Sequence, residues 1–284
     1  MISDITLGQF FPGFSVLHRL DPRTKLILAT LFIVAIFLAS NPLAFLLLTL
    51  FTVFLILISR ISWKVILKGI KPLIYIAIFT ALISVFLTPG EGEPLVAFWV
   101  IHIYTEGIVR AVLMTLRFLV LVVGTSMFLT YTTSPIALTG GLESLLYPLK
   151  KLHIPVHIFS LLMTIALRFI PTLVEETEKL MNAQKSRGAD FTSGGLFKRA
   201  KALIPLLIPL ILSGFQRAEE LATAMECRCY RVDKERTKMT SLRYRPADFV
   251  WMAGAILLLA ATVWLRSAEP EGDSLLRTVL FYRV

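Results

Sequence analysis

The chain has 284 residues, of which 56% are hydrophobic and 17% are charged, and its formal net charge is +10. A soluble domain of this length builds a full core with less apolar material and more charge, so the composition favours an integral membrane protein. The excess of basic residues predicts cytosolic loops rather than nucleic-acid binding, because no motif of a nucleic-acid-binding fold accompanies it.

Two apolar runs occupy residues 26–39 and 43–59, with Asn41 and Pro42 around the junction between them. A bilayer core of about 30 Å needs roughly 20 helical residues, so each run is short for a span and the two together are too long for one. Basic residues flank the pair on both sides, which places both flanks in the cytosol. We therefore predict two spans with a turn at Pro42, since proline disfavours helix in the residue before it.

Further apolar runs follow at 72–87, 106–131 and 249–265. The acidic, turn-rich stretch "TPGEGEP" between the first two of these predicts an external loop. The run at 106–131 contains Arg110 and Arg117, which are costly in lipid and are therefore expected to face protein or to snorkel. Five crossings, with the amino end inside and the carboxyl end outside, satisfy the charge of every loop.

The predicted fold is therefore an all-α polytopic membrane protein with about five transmembrane helices. We divide it into a membrane domain at 1–131 with four spans and a basic cytosolic segment at 60–71, a cytosolic domain of long amphipathic helices at 132–248, and the last span with an external tail at 249–284. Two apolar runs inside the cytosolic domain, at 154–170 and 202–214, have a composition close to that of spans, and we interpret them as parts of its helices.

The cytosolic domain contains one design twice, an apolar stretch with prolines followed by an amphipathic helix that ends near an arginine. Without gaps, Ala183 and Arg187 align with Ala224 and Arg228, 41 residues later. Residues four apart share a helix face, so each alanine admits a close neighbour beside a five-donor guanidinium. One such end is ordinary helix capping, with Gly188 well placed as the capping glycine of the first copy. Two gap-free copies favour a partner with two equivalent docking sites.

Motifs of catalysis and metal binding do not stand out. There is no phosphate-binding loop, so the chain is not expected to hydrolyse ATP on its own. His153 and His157 have the spacing of a metal pair, but Pro155 lies between them and no third ligand is evident, so a helix start is the favoured interpretation. Cys227 and Cys229, two residues apart, point to different sides of a helix. We predict no catalytic residue, no cofactor site and no metal site in this chain.

Three stretches together resemble the transmembrane T component of energy-coupling factor (ECF) transporters, a family of ABC importers. "PGFSVLHRLDPRTKL" resembles the approach to the family's first span, with Ser15, His18, Asp21, Pro22, Arg23 and Lys25 in place. "ALRFIPTLVEETEKLMNAQKSRGADF" and "KALIPLLIPLILSGFQRAEELATAMECRCY" resemble its two long cytosolic coupling helices. The resemblance covers nearly the whole chain.

The resemblance implies a non-catalytic scaffold in a prokaryotic cell membrane. Its implied partners are two ABC ATPase subunits, which bind the ATP, and one small membrane subunit, which binds a vitamin or a transition-metal ion. Arg110 and Arg117 are then candidates for contact with that substrate-binding subunit, or for helix packing.

Each coupling helix of the family ends in a short Ala-Arg-Gly-like motif that docks on one ATPase subunit. The implied docking residues are Ala183, Ser186, Arg187, Gly188, Ala224, Cys227, Arg228 and Cys229. Ser186 stands in the alanine place of the first motif, and two cysteines replace both small residues of the second. Because Cys229 lacks the freedom of glycine at positive φ, we expect the second helix to end differently from the first.

A stand-alone channel or a membrane-embedded enzyme is the alternative. It requires polar residues that converge within the spans, and the candidates are Arg110, Arg117, Thr125 and Ser126 on one span. They form no recognisable catalytic set. A third possibility, that the chain itself binds the substrate, ranks lower because the spans show no cluster of ligand-binding residues.

Overall fold

The computed structural model describes residues 11, 13–39, 42–87, 96–98, 101–152, 155–189, 191, 195–231 and 242–267. The helices in this part of the chain are α1 (Pro22–Leu38), α2 (Pro42–Ser59), α3 (Trp63–Leu87), α4 (Thr105–Ser126), α5 (Pro135–Leu146), α6 (Val156–Ser186), α7 (Leu196–Cys227) and α8 (Pro246–Ser267). The prediction of a helical membrane protein is confirmed. The sequence analysis did not predict two short antiparallel strands, β1 (Val96–Phe98) and β2 (Ile101–Ile103).

The start of α1 is set by local capping. A 3₁₀ turn at Leu17–Arg19 leads into it, and the Asp21 carboxylate accepts a hydrogen bond of 2.9 Å from the backbone N–H of Arg23. Pro22 follows at the first helical position, where its fixed φ suits the helix and its missing N–H costs nothing. After α1 ends, α2 starts at Pro42, so the first two apolar runs form separate helices as predicted. Asn41 lies outside the described residues.

Five helices of the described part are long and apolar enough to cross a membrane, namely α3, α4, α6, α7 and α8, while α2 is apolar but shorter. The sequence analysis also arrived at five, but it counted α1 and α2 and assigned α6 and α7 to the cytosol. The difference arises because α6 and α7 are apolar in their first halves, so length and composition alone place them with the spans. The side of the membrane on which each loop lies stays a prediction.

The chain divides into two compact units. One comprises Gln9–Ser144 and Leu242–Val284 and holds α1 to α4, most of α5, and α8, and the other includes Leu145–Ser241 and holds α6 and α7. The division into membrane and cytosolic domains at residues 132 and 248 remains a prediction from the sequence.

The core of the first unit lies around α1. This helix packs against α4 and α8, and its Leu28, Phe32 and Ile36 are fully buried. A β-carbon added at Gly124 of α4 would lie 2.1 Å from the ring of Phe32, so the glycine allows the two helices to approach closely. Although α1 has only 17 residues and a basic first turn, it lies at the centre of this unit, close-packed against the other helices.

In the second unit, α6 and α7 pack on each other. Both are continuous through internal prolines, Pro171 in α6 and Pro205 and Pro209 in α7. Large apolar side chains in their first halves are exposed, among them Phe159, Leu162, Leu207 and Ile208. Exposed apolar surface of this extent suits lipid or another apolar partner.

Candidate docking site

The first predicted docking motif forms the end of α6. Arg187 is the C-cap residue, and Gly188 follows with a φ of +86°. The backbone N–H of Gly188 donates to the Lys185 carbonyl at 2.9 Å, and that of Ala189 donates to the Gln184 carbonyl at 3.0 Å. These two bonds define a Schellman motif, in which a residue of left-handed conformation satisfies the last free carbonyls of a helix.

The second motif ends α7 in the same way. Arg228 is the C-cap residue, Cys229 donates to the Glu226 carbonyl at 2.8 Å, and Tyr230 donates to the Met225 carbonyl at 2.9 Å. Cys229 adopts a φ of +54°. The expectation that this helix ends differently is therefore wrong. A residue with a β-carbon pays about 1–2 kcal/mol in this conformation, and the hydrogen bonds of the motif offset that cost.

All predicted docking side chains are exposed, namely those of Ala183, Ser186, Arg187, Ala224, Cys227, Arg228 and Cys229, and Gly188 is exposed as well. Each alanine carbonyl accepts a hydrogen bond from the backbone of the arginine four residues later, at 3.2 Å in the first copy and 3.3 Å in the second. Within the described part of the chain, neither guanidinium is bound by another side chain. Both ends therefore present a cation beside a small residue on an accessible helix tip.

An ion pair that the sequence analysis missed joins the two helices. The Arg217 guanidinium of α7 donates to the Glu176 carboxylate of α6 at 2.6 Å, and both side chains are half-buried. The two residues are separated by 41 positions, which is the distance between the two copies. Opposite charges at equivalent positions of a repeat were the signal that would have revealed the pair.

The lead-in to α1 is held by His18. Its Nδ1 lies 2.7 Å from the Ser15 hydroxyl, and its Nε2 lies 2.9 Å from the carbonyl oxygen of Phe11. A neutral imidazole with its proton on Nε2 donates to the carbonyl and accepts from the hydroxyl, which satisfies both bonds. Burial lowers the pKa of His18, the bond to the Phe11 carbonyl acts in the opposite direction, and the charge of Lys25 lowers it further. The ring is therefore held neutral around pH 7.

Two buried charged residues also hold the start of α1 in place. Asp248, which is fully buried at the start of α8, accepts from the backbone N–H of Asp21 at 2.9 Å and from that of Arg245 at 2.6 Å. Lys25, also buried, donates to the carbonyl of Thr132 at 2.7 Å. These bonds fix the start of α1 to two other parts of its unit. The bond from Arg245 spans three residues at the start of α8, whereas Asp21 lies 227 positions away, so local sequence patterns do not predict the contact with Asp21.

The arginines of α4 are only partly described. Arg117 donates to the carbonyl of Ala39 at 2.7 Å, a group just beyond the end of α1. This bond satisfies a carbonyl that has no partner within its own helix, which is a packing role. The side chain of Arg110 lies outside the described residues.

The described residues do not assemble a catalytic or metal centre. The Thr125 hydroxyl donates to the Leu121 carbonyl of its own helix at 2.7 Å. No group of three His, Cys, Asp or Glu residues that would hold a metal ion occurs among the residues described, and His153 is outside them. The second interpretation, a channel or a membrane enzyme, gains no support from this geometry.

Known proteins match this chain over most of its length. The family model described as "Cobalt transport protein" matches residues 13–239. The energy-coupling factor transporter transmembrane protein EcfT of Ruminiclostridium cellulolyticum is 50% identical over 248 residues, or 87% of this chain and 92% of the relative. The protein of that name from Bacillus subtilis is 45% identical over 267 residues, or 94% of this chain and 100% of the relative.

A third relative of the same name, from Clostridium kluyveri, is 44% identical over 266 residues, which are 94% of this chain and 98% of the relative. Identity at this level over nearly full length, together with the helical membrane fold, leaves no doubt about the relationship. The chain belongs to the family of energy-coupling factor transporter transmembrane proteins, which are membrane components of transporters and not catalytic enzymes.

Proposed function

We propose that this chain is the coupling subunit of an ECF-type ABC importer, in which two ATPase subunits dock on the ends of α6 and α7. The observation that carries this proposal is that the two helix ends have the same structure. Each presents an exposed arginine on a Schellman motif, although the second has cysteine where glycine is expected. Two equal sites suit a partner made of two equivalent subunits.

The chemistry of docking is that of an exposed guanidinium at a helix tip. Arg187 and Arg228 each carry a planar fork of five donors, which binds carboxylates and backbone carbonyls with defined geometry. Ala183 and Ala224, one turn earlier, have small side chains, so a partner can approach the helix closely beside each arginine. ATP is bound by the partner subunits, since this chain has no phosphate-binding loop.

The orientation follows from charge. Basic residues favour the cytosol, so the amino end and the docking ends of α6 and α7 lie on the cytosolic side of the prokaryotic cell membrane, where ATPases operate. The exposed apolar first halves of α6 and α7 face lipid and a small membrane subunit that binds the substrate. That substrate is a vitamin or a transition-metal ion, and the description of the matching family as cobalt transport supports the second class.

The test is a double charge reversal, Arg187→Glu with Arg228→Glu. We expect the variant to insert into the membrane normally but to lose co-purification with its ATPase subunits, because each docking cation becomes an anion. The measurement is affinity purification from membranes with quantification of every co-purifying chain.

The matched control is Lys185→Glu with Arg231→Glu. Both residues are exposed, each lies within three positions of a tested arginine, and the change in net charge is the same. The control should retain its ATPases. If the docking variant co-purifies normally, or if the control loses its partners equally, specific docking through the two arginines is wrong.

A further inference from the structure

The ion pair between α6 and α7 connects equivalent positions of the duplicated helices. Glu176 and Arg217 are 41 positions apart, as are the two C-cap arginines. The helices themselves follow the same offset, since α6 ends at Ser186 and α7 ends at Cys227. The contact therefore joins a position of the first copy to the same position of the second.

A contact between equivalent positions has a geometric consequence. Because the contact joins the same position of the two copies, the chain from the contact to the C-cap arginine has the same length in each copy. From this point, 11 residues lead to Arg187 along α6 and 11 lead to Arg228 along α7. At 1.5 Å per residue, each arm is about 16 Å long. The two docking ends are equally distant from the contact.

The residue types at the contact also fit this position. Identical charged residues at a self-contacting position would repel each other, so the two copies need complementary residues there. The 2.6 Å hydrogen bond between a guanidinium and a carboxylate is of the short, charge-assisted kind. Both side chains are half-buried, which reduces the screening that weakens ion pairs on an open surface.

We infer that the Glu176–Arg217 ion pair is the pivot of the coupling helices, the point that fixes their crossing so that a displacement of one docking end is passed to the other. This inference rests on the proposed function, because it assigns the two ends to two ATPase subunits. The pair is a positioning pair. It does not contact ATP or substrate, and it acts through Arg187 and Arg228.

The first experiment measures coupling in the assembled transporter reconstituted into liposomes. Glu176→Arg places two cations at the pivot, and we expect a loss of substrate uptake per ATP hydrolysed, while the ATPase subunits still co-purify. The exchanged pair, Glu176→Arg with Arg217→Glu, restores the attraction with reversed polarity. It should recover uptake per ATP to within about twofold of the original.

The matched control is Glu175→Gln. Glu175 is adjacent, exposed and acidic, and its equivalent in the second copy is already a glutamine, Gln216. Uptake per ATP should be unchanged in this variant. Unchanged coupling in Glu176→Arg, or a failure of the exchanged pair to recover, would overturn the assignment of the pivot.

The second experiment uses the chain without its ATPases, so it separates failure of the pivot from failure of the proposed function. Ser186→Cys with Cys229→Ser leaves two exposed cysteines at equivalent helix ends, Cys227 and the new one at 186. Spin labels at these sites report the distance between the two ends by pulsed electron paramagnetic resonance.

With the pivot intact, we expect one narrow distance distribution. Glu176→Arg should broaden or shift the distribution, and the exchanged pair should restore it. If the distance distribution is the same with the original pair, with Glu176→Arg and with the exchanged pair, then the Glu176–Arg217 ion pair does not fix the crossing of α6 and α7. This conclusion does not depend on whether the ATPase subunits bind. If the distributions change as expected but no ATPase co-purifies with the unaltered chain, the pivot stands and the proposed function fails.

Discussion

The left-handed conformation of Cys229 makes a quantitative prediction about the end of α7. Glycine adopts this conformation without steric cost, whereas a residue with a β-carbon is destabilised by about 1–2 kcal/mol. Cys229→Gly removes that cost from the folded state. It also gives the unfolded chain more freedom, which costs about 0.4–1 kcal/mol. The net expectation is that the last turn of α7 becomes more stable by about 0.8 kcal/mol.

Amide hydrogen exchange measures this change at the site. The backbone N–H groups of Arg228, Cys229 and Tyr230 close the end of α7, and they exchange only when the turn opens. A stabilisation of about 0.8 kcal/mol slows their exchange about fourfold, since 1.4 kcal/mol corresponds to a factor of ten. Exchange elsewhere in α7 should be unaltered.

The first copy supplies the reciprocal experiment. Gly188→Cys puts a β-carbon at a φ of +86°, and no other atom lies within 4 Å of it, so the whole penalty comes from the backbone. Exchange at the end of α6 should accelerate by a similar factor. Cys229→Ser is the control for loss of the thiol, because serine keeps the β-carbon and should not slow exchange. Slower exchange in the serine variant, or no change in Cys229→Gly, would refute the argument from backbone strain.

Two further predictions concern the first unit, and both are measured as free energies of unfolding in detergent. Gly124→Ala should destabilise by about 1–3 kcal/mol, because its β-carbon would meet the ring of Phe32 at 2.1 Å. The control is Gly140→Ala, where the added carbon meets open space and should stabilise helix α5 by about 0.5–1 kcal/mol. If both variants lose stability, the close approach of α1 and α4 is not the cause of the effect at Gly124. Asp248→Ala should cost about 3 kcal/mol because it leaves two backbone donors without an acceptor, and Asp248→Asn, which keeps one carbonyl oxygen, should cost less. Equal stability of the alanine variant and the original chain would show that the carboxylate does not hold α1 and α8 together.

Comparing the sequence-based predictions with the structure shows which features can be predicted from neighbouring residues. The apolar runs became helices, and Pro42 begins a new one, because each of these outcomes depends on residues that are neighbours in the chain. The duplicated ends were visible for the same reason, since helical spacing places Ala183 and Arg187 on one face. The error at Cys229 arose from treating a conformational preference as a rule. A preference of about 1–2 kcal/mol is smaller than the combined hydrogen bonds of a helix end.

From the sequence alone we obtain the class of the protein, its helical content, its two repeated helix ends and, through relatives that are 44–50% identical, its family. Those properties depend on composition and on short spacings. The packing of the helices sets three contacts that the sequence does not reveal. Asp248 accepts a hydrogen bond from the backbone N–H of Asp21, buried Lys25 donates to the Thr132 carbonyl, and Glu176 pairs with Arg217. Each of these contacts joins residues far apart in sequence, and their geometry is set by how whole helices pack rather than by any local preference. The two docking ends were therefore readable from the sequence, but the pivot that relates them was not.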